Sequence, residues 1–185
     1  MAAMRDIFLE GLPILDALEV SGSTAAAALW MNCDQSSISR SYRRVSQQLD
    51  LAFNKDDGSY QASNNLQVLA SLRHASQLRR LAGGAGHLQW MCHRDLKLPA
   101  LSAPLRPPLS CSTRPRPRCV DLLRRQVLDM AVVPAVALAQ GIDQSITSVS
   151  LTAEADSAAL VLAELRHHPS VEALLVHLQQ QLSQR

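Results

Sequence analysis

The sequence predicts an α protein with a small α/β part at its C-terminal end. Three observations lead to this fold class. Up to about Leu81, apolar residues recur at helical spacing between short polar turns, with no proline after Pro13. Six of the nine prolines then fall between Pro99 and Pro117, a composition that sustains neither a helix nor a central strand. Beyond them, a β-leaning run at 146–151 precedes an amphipathic helix.

Composition limits the classes of function. Of the 185 residues 47% are apolar, which supports an ordinary core, and a net charge of +2 is too small to indicate a nucleic-acid partner by itself. No apolar run approaches the roughly 18 residues of a membrane span. The N-terminus lacks the basic and apolar regions of a secretion signal. We therefore expect a cytoplasmic protein with no membrane partner.

Catalytic and metal-binding motifs are not visible in the sequence. The four cysteines are spaced too irregularly for a disulfide framework or a zinc site: Cys33, Cys92, Cys111 and Cys119. No nucleophile elbow, phosphate loop or zinc-protease motif accompanies the serines and histidines. We expect reduced thiols, no metal, no cofactor and no enzymatic activity.

The first two helices are predicted from apolar spacing and small residues. Residues 7–20 place an apolar face on a first helix, made of Phe8, Leu12, Leu15, Leu18 and Val20. The turn Ser21-Gly22-Ser23 supplies a hydroxyl suited to capping the next helix. That helix, Thr24 to Trp30, is rich in alanine, so a neighbouring helix can approach closely, as a helix-turn-helix requires.

The third helix, Gln35 to Gln48, carries the predicted chemistry. Its inward face has Ile38, Tyr42, Val45 and Leu49. Its outward face is polar and cationic, with Gln35, Ser36, Ser37, Ser39, Arg40, Arg43 and Arg44. Glutamine can bind adenine, arginine can bind guanine, and serine hydroxyls and the first helical N–H groups can hold phosphate. This pattern predicts a recognition helix in a DNA major groove.

A wing is predicted after the third helix, where Phe53 returns to the core and 54–60 has turn residues with a β-leaning flank. The whole pattern resembles the DNA-binding domain of LysR-type transcriptional regulators, through Gly22-Ser23, Ala26-Ala27, Gln35, Ile38-Ser39-Arg40, Val45, Leu49 and Phe53, without a gap from Gly22 to Ser46. Val45-Ser46 departs from the family's Leu-Glu pair. The residues and the resemblance together predict a winged helix-turn-helix that contacts DNA through Ser23, Gln35, Ser36, Ser37, Ser39, Arg40, Arg43, Arg44 and Lys55.

The next helix, from Asn64 to Leu81, corresponds by this resemblance to a linker helix that pairs with its twin in a dimer. The predicted dimerisation residues are Leu66, Leu69, Leu72, Leu78 and Leu81. Their spacing in multiples of three is not that of a straight coiled-coil seam, and an ordinary core helix explains it equally well. The predicted domains are therefore 1–63 for DNA binding, 64–82 for the linker, and 83–185 for the remainder, which includes the Pro/Arg-rich segment 99–118.

The C-terminal domain resembles part of the family's effector-binding domain. After a glycine hinge at 83–86, residues 122–133 resemble the family's helix and a strand led by Asp129, and His168-Pro169-Ser170-Val171 resembles its terminal helix. We expect a helix from after Thr152 to His168, and a last helix capped by Ser170. Too little chain remains for a second subdomain. The prediction is a truncated, periplasmic-binding-protein-like α/β subdomain with a doubtful small-molecule effector.

Two functions follow from this organisation. The first is a sequence-specific transcriptional regulator that binds double-stranded DNA as a homodimer or higher homo-oligomer. The alternative is an interaction protein that forms mixed dimers with a full-length regulator and titrates it without productive DNA binding. Both share one fold, and DNA binding by the purified protein separates them.

Overall fold

The structure is a computed structural model that describes residues 10–56, 59–93, 96, 108–111, 116–137, 142–152, 154 and 156–183. Phe8, the predicted wing tip at 57–58 and most of the Pro/Arg-rich segment lie outside the described residues. The chain divides into two compact units, Met1–Ser76 and Gln77–Arg185. The division after Ser76 falls inside the predicted linker helix, whereas the domain boundaries predicted from the sequence lie at the two ends of that helix, after residues 63 and 82.

The first unit contains three helices and a hairpin before the long helix begins. The elements are α1 (Leu12–Ser21), α2 (Thr24–Met31), α3 (Gln35–Gln48), β1 (Phe53–Asp56), β2 (Ser59–Ala62) and α4 (Leu66–Ala82). The two strands are antiparallel. The predicted third helix is confirmed from its first residue to its last, and the second extends one residue beyond its predicted end.

The turn between α1 and α2 follows from local chemistry. Gly22 has a φ of 71° in the left-handed region, which a residue without a Cβ adopts at little cost. The Oγ atom of Ser23 then accepts the N–H of Ala26 at 3.1 Å, so the predicted cap of α2 is confirmed. Ala27 and Ala28 are buried, and their small side chains let α2 pack closely against its neighbours.

The second unit is built on a five-stranded mixed sheet. Its elements are β3 (Trp90–His93), β4 (Leu109–Cys111), α5 (Arg116–Arg124), β5 (Met130–Pro134), β6 (Ile146–Ser150), β7 (Ser157–Leu162) and α6 (Pro169–Ser183), with strand order β4-β3-β5-β7-β6. Strand β3 is parallel to β4 and β5, whereas β7 is antiparallel to β5 and β6. The predicted strands at 130–133 and 146–151 are confirmed in type and place.

One hydrophobic core of this unit lies between the sheet and α6. Trp90 and Val132 are buried there with the predicted apolar face of α6, namely Val171, Leu174, Leu175 and Leu178. Leu182 packs against the same cluster while remaining partly exposed. The amphipathic prediction for the last helix is therefore confirmed.

The prediction of a helix between Thr152 and His168 is wrong, because Ser157–Leu162 forms strand β7. All six residues of β7 are buried: the strand lies between β5 and β6, and the side chains on both of its faces are covered. A strand buried on both faces loses the alternation of apolar and polar residues that marks a half-buried strand. Its Ala and Leu content therefore gave it a helical appearance.

The prediction for segment 99–118 needs a second correction. Residues 109–111 form β4, and α5 begins at Arg116 with Pro117 in its first turn. A proline is tolerated there because the first N–H groups of a helix have no intrahelical acceptor. Strand β4 lies at the edge of the sheet, where a preceding proline disrupts no central ladder.

The predicted capping role of Ser170 is also wrong. Its hydroxyl donates to the carbonyl oxygen of Leu81 at 2.6 Å, and the residue lies inside α6. The ring Nδ1 of His168 instead accepts the N–H of Ser170 at 3.2 Å, and the His168 carbonyl accepts the N–H groups of Val171 and Glu172. His168 therefore provides the hydrogen-bond acceptors for the N–H groups in the first turn of α6.

Candidate nucleic-acid interface

Helix α3 separates an apolar face from a polar, cationic one. Ile38 and Val45 are buried, and Tyr42 and Leu49 are half-buried, as the pattern predicted. The exposed face carries Gln35, Ser36, Arg40, Arg43 and Arg44, with Ser37 and Ser39 half-buried. Seven of the predicted contact residues are thus brought together on one helix.

Three arginines of this face are exposed to solvent. Arg40, Arg43 and Arg44 are exposed, and within the described parts of the chain no ion pair engages them. Guanidinium groups bind phosphate or the acceptor edge of guanine through paired N–H donors. The face therefore supplies a cationic surface even though the whole chain has a small net charge.

The start of α3 adds backbone polarity to this surface. Asp34 occupies the capping position, but its side chain makes no capping hydrogen bond. The N–H groups of Ser37 and Ile38 both donate to the Asp34 carbonyl, at 2.9 and 3.2 Å. The helix dipole places partial positive charge at this end, which favours a phosphate oxygen there.

Gln35 is held in place by α2. Its Nε2 atom donates to Thr24 Oγ1 at 2.9 Å. A glutamine amide has two N–H donors and one carbonyl acceptor, so this bond leaves one N–H and the Oε1 atom, which are the two groups that a bidentate contact with adenine uses. The sequence pattern did not indicate Thr24, because a hydrogen bond across eleven residues leaves no periodic signal.

Ser23 differs from the other predicted contact residues in its local role. It precedes α2, is half-buried, and uses Oγ as the acceptor for the Ala26 N–H. Its hydroxyl hydrogen remains a possible donor to phosphate. The structure therefore shows Ser23 as the cap of α2, and its contact with DNA stays a prediction.

The hairpin is anchored to the end of α3 by two asparagines. The Asn64 side chain donates to the Asp50 carbonyl at 2.7 Å and accepts the N–H of Ala52. The Asn65 side chain donates to the Leu49 carbonyl at 2.6 Å. Sequence reasoning missed both anchors, although adjacent asparagines after a strand are a turn signal.

Three aromatic rings join α3 to the hairpin. Tyr42 meets Phe53 edge-to-face with ring centroids 5.4 Å apart and Tyr60 with centroids 6.0 Å apart. Burial, followed by the neighbouring Tyr60, raises the pKa of Tyr42 above its ordinary value. In the strand register Tyr60 is the partner of Lys55, the predicted cation of the wing.

The predicted dimerisation residues of α4 do not share one exposed face. Leu69 and Leu81 are 1% and 4% exposed and belong to hydrophobic cores of this chain. Leu72 is half-buried, while Leu66 and Leu78 are 51% and 54% exposed. Steps of three residues rotate around a helix of 3.6 residues per turn, so the five leucines point in several directions, and their role in a dimer stays a prediction.

A buried ion cluster fixes the first half of α4. Arg73 Nε donates to Asp16 Oδ1 at 2.9 Å, and its Nη2 lies 2.8 Å from that oxygen and 3.1 Å from Glu19 Oε1. Burial lowers the pKa of Arg73, but the carboxylates of Asp16 and Glu19 outweigh it, so the pKa is raised. Sequence reasoning missed this cluster, whose only signal is the pair of acids three residues apart on α1.

A second buried cluster lies within the Gln77–Arg185 unit. Arg80 donates to Asp129 through Nε at 2.7 Å and through Nη2 at 2.9 Å. Asp129 also accepts the side chain of Gln77 at 3.1 Å and the backbone N–H of Gln89 at 2.8 Å. The acid predicted to lead strand β5 is therefore a fully hydrogen-bonded structural carboxylate.

The thiols divide by exposure. Cys33 is free and exposed, whereas Cys92 and Cys119 are free and buried; the Cys111 side chain lies outside the described residues. Burial raises the pKa of Cys92 to about 12. In the described part of the chain, no group of three or more His, Cys, Asp or Glu side chains could hold a metal ion. No helix there is long and apolar enough to cross a membrane.

Comparisons with known proteins find solved structures of low sequence identity and low TM-score. No family model and no curated protein matches the chain. Among solved structures, OxyR C199D from Pseudomonas aeruginosa is 15% identical with a TM-score of 0.39, over 77% of this chain and 54% of that one. ArgP from Mycobacterium tuberculosis is 16% identical with a TM-score of 0.37, over 77% and 52%.

CrgA from Neisseria meningitidis, described as a LysR-type transcriptional regulator, is 15% identical with a TM-score of 0.36, over 77% of this chain and 52% of that chain. The structures that the chain matches thus include LysR-type transcriptional regulators. The chain spans about half the length of these neighbours.

Proposed function

We propose that this chain is a sequence-specific, double-stranded DNA-binding transcriptional regulator of LysR type, in which α1 to α3 and the hairpin act as a winged helix-turn-helix. The exposed polar and cationic face of α3 is the observation that carries the proposal. A helix fits the major groove, where every base pair presents a distinct pattern of donors and acceptors. The resemblance of the Gly22–Phe53 pattern to the family's DNA-binding domain supports the same role.

The residues divide by the part of DNA that they contact. Gln35 and Arg40 contact base edges, because both side chains have the paired polar groups that base recognition needs. Ser36, Ser37 and Ser39 contact phosphates near the start of the helix, and Arg43 and Arg44 contact the backbone beyond it. Lys55 on the wing contacts backbone or minor groove.

Fluorescence anisotropy with labelled DNA duplexes tests this function. Affinity should fall steeply as salt rises, since each neutralised phosphate releases a counterion. The Arg40→Ala variant should change the preferred sequence, whereas Lys55→Ala should weaken all sequences alike and lower the salt slope by about one. If no duplex binds at low salt, the function is wrong; if both variants act identically, only the division of contacts is wrong.

The proposed regulator pairs with a second copy through α4, along a face different from the one expected from the sequence. Val68, Ser71, Ala75, Leu78 and Ala82 are all exposed and follow one another at alternating steps of three and four residues. That spacing is the heptad seam of a coiled coil. Small residues at three of the five positions allow close approach of the two helices. We refer to these five residues as the α4 seam.

The exposed α4 seam also favours a second candidate function. A chain that pairs through the seam can form mixed dimers with a full-length regulator and titrate it. In that case the purified protein forms dimers without binding DNA. Dimerisation combined with no DNA affinity at low salt therefore favours titration over direct regulation.

The remainder of the chain, from 83 to 185, fits a shortened, periplasmic-binding-protein-like effector domain in this proposal. One five-stranded sheet with its helices supplies one wall of a cleft, whereas an enclosed ligand site needs two. We therefore infer that the described residues of this unit do not by themselves enclose a small-molecule effector. Saturable binding of a metabolite by this protein in a calorimetric screen would overturn this inference.

A further inference from the structure

We propose that Tyr42 is a positioning residue that couples the recognition helix to the wing, so that Lys55 reaches DNA in a register set by α3. The proposal rests on the proposed DNA-binding function. Tyr42 faces inward from α3, but in this proposal it affects the DNA contact that Lys55 makes from the wing.

A single ring bridges α3 and both strands of the wing. Tyr42 contacts Phe53 on β1 with an interplanar angle of 80° and Tyr60 on β2 with an angle of 73°. Both arrangements place the edge of one ring toward the face of another, the preferred geometry of aromatic pairs. Tyr42 therefore fixes the wing against α3 at two points, one for each strand.

The wing depends on such packing for its orientation. Each strand has four residues, and an isolated two-stranded hairpin is marginally stable in water. The bonds of Asn64 and Asn65 fix the base of the hairpin to residues 49–52. Tyr60 lies further along the strand, directly opposite Lys55 in the register. The Tyr42–Tyr60 contact thus links α3 to the strand pair that carries the cation.

The chain neighbour of Tyr42 strengthens this link. Arg43 is exposed on the cationic face of α3. A change in the placement of Tyr42 against the wing therefore alters how the cations of α3 and the cation of the wing fit the same DNA backbone. A tyrosine that merely fills the core predicts no such dependence.

A double-mutant cycle tests the coupling. The probe is a labelled, mixed-sequence DNA duplex at low salt, and the variants are Tyr42→Leu, Lys55→Ala and the pair. Each single substitution should weaken binding about tenfold, as expected for one charge-assisted contact. The double variant should bind no more weakly than Lys55→Ala alone, because a misplaced wing has already lost its contact. Additive losses would overturn the proposal.

Matched variants separate positioning from general stability. Tyr42→Phe keeps all three rings and should bind as the wild type does. Arg73→Met weakens the same unit through the ion cluster with Asp16 and should remain additive with Lys55→Ala. If Tyr42→Leu fails to fold, Tyr60→Val removes the wing ring instead and should show the same non-additivity.

Hydrogen exchange of the free protein distinguishes failure of the coupling from failure of DNA binding. Tyr42→Leu should speed exchange of the β1 and β2 amides relative to those of α2, and Tyr42→Phe should not. Unchanged exchange in the hairpin overturns the coupling, whether or not DNA binds. A wild-type protein that binds no duplex overturns the proposed function and, with it, the role of Lys55.

Discussion

At the scale of single residues, Arg73 shows how a charge becomes part of a core. Its side chain is 2% exposed and pairs with Asp16 and Glu19, so removing it takes a buried cation away from two buried carboxylates. The Arg73→Met variant should lower the free energy of unfolding by roughly 3 to 5 kcal/mol. Chemical denaturation at neutral pH measures this loss.

A control for that experiment lies on the same helix. Arg79 is exposed, so Arg79→Met makes the same chemical change without uncovering a buried carboxylate. Its effect should be within about 0.5 kcal/mol of zero. Equal losses in the two variants would show that helix propensity or net charge, and not the ion cluster, determines the stability.

Cysteine reactivity provides a second test at the residue scale. The raised pKa of Cys92, about 12, leaves on the order of one thiolate in ten thousand at pH 8, and burial also excludes the reagent. Iodoacetamide should therefore modify the exposed Cys33 within minutes and leave Cys92 and Cys119 unmodified until denaturant is added. Peptide mass spectrometry identifies each site, and rapid labelling of Cys92 in the native protein would contradict its placement in β3.

At the scale of elements, the sequence predicts the helices and strands whose position depends on nearby residues alone. The bounds of α3 follow from a clean separation of apolar and polar faces, and the hairpin follows from turn residues between Phe53 and Tyr60. Strand β7 escaped prediction because burial on both faces removed the period of two. Local pattern therefore identifies surface elements better than central ones.

The contacts of the candidate site follow the same division. The exposed residues of α3 could be assigned from their helical spacing, because one face of an amphipathic helix must face solvent. The Arg73–Asp16 pair and the Tyr42–Tyr60 pair join residues far apart in the chain, and no local pattern specifies such pairs. Sequence reasoning found the surface that we propose for DNA, and it missed the packing that holds this surface in place.

At the scale of the whole molecule, the α4 seam predicts the oligomeric state. Leu78 is 54% exposed and lies in the seam, whereas Leu66 is 51% exposed and lies outside it. These two residues form a matched pair, because either one can become glutamate without burying a charge in the isolated chain. In a dimer that pairs along the seam, only the charge at position 78 enters the interface.

Light scattering coupled to size-exclusion chromatography measures the outcome. Leu78→Glu should convert the dimer to a monomer, since two facing carboxylates must lose water and repel each other, while Leu66→Glu should remain dimeric. DNA affinity should fall in the Leu78→Glu protein, because a monomer engages one half-site where a dimer engages two. Dissociation by Leu66→Glu, with Leu78→Glu still dimeric, would assign the interface to another face of α4. If the wild-type protein is a monomer at micromolar concentration, the proposed homodimer is wrong. The α4 seam then does not join two copies of this chain.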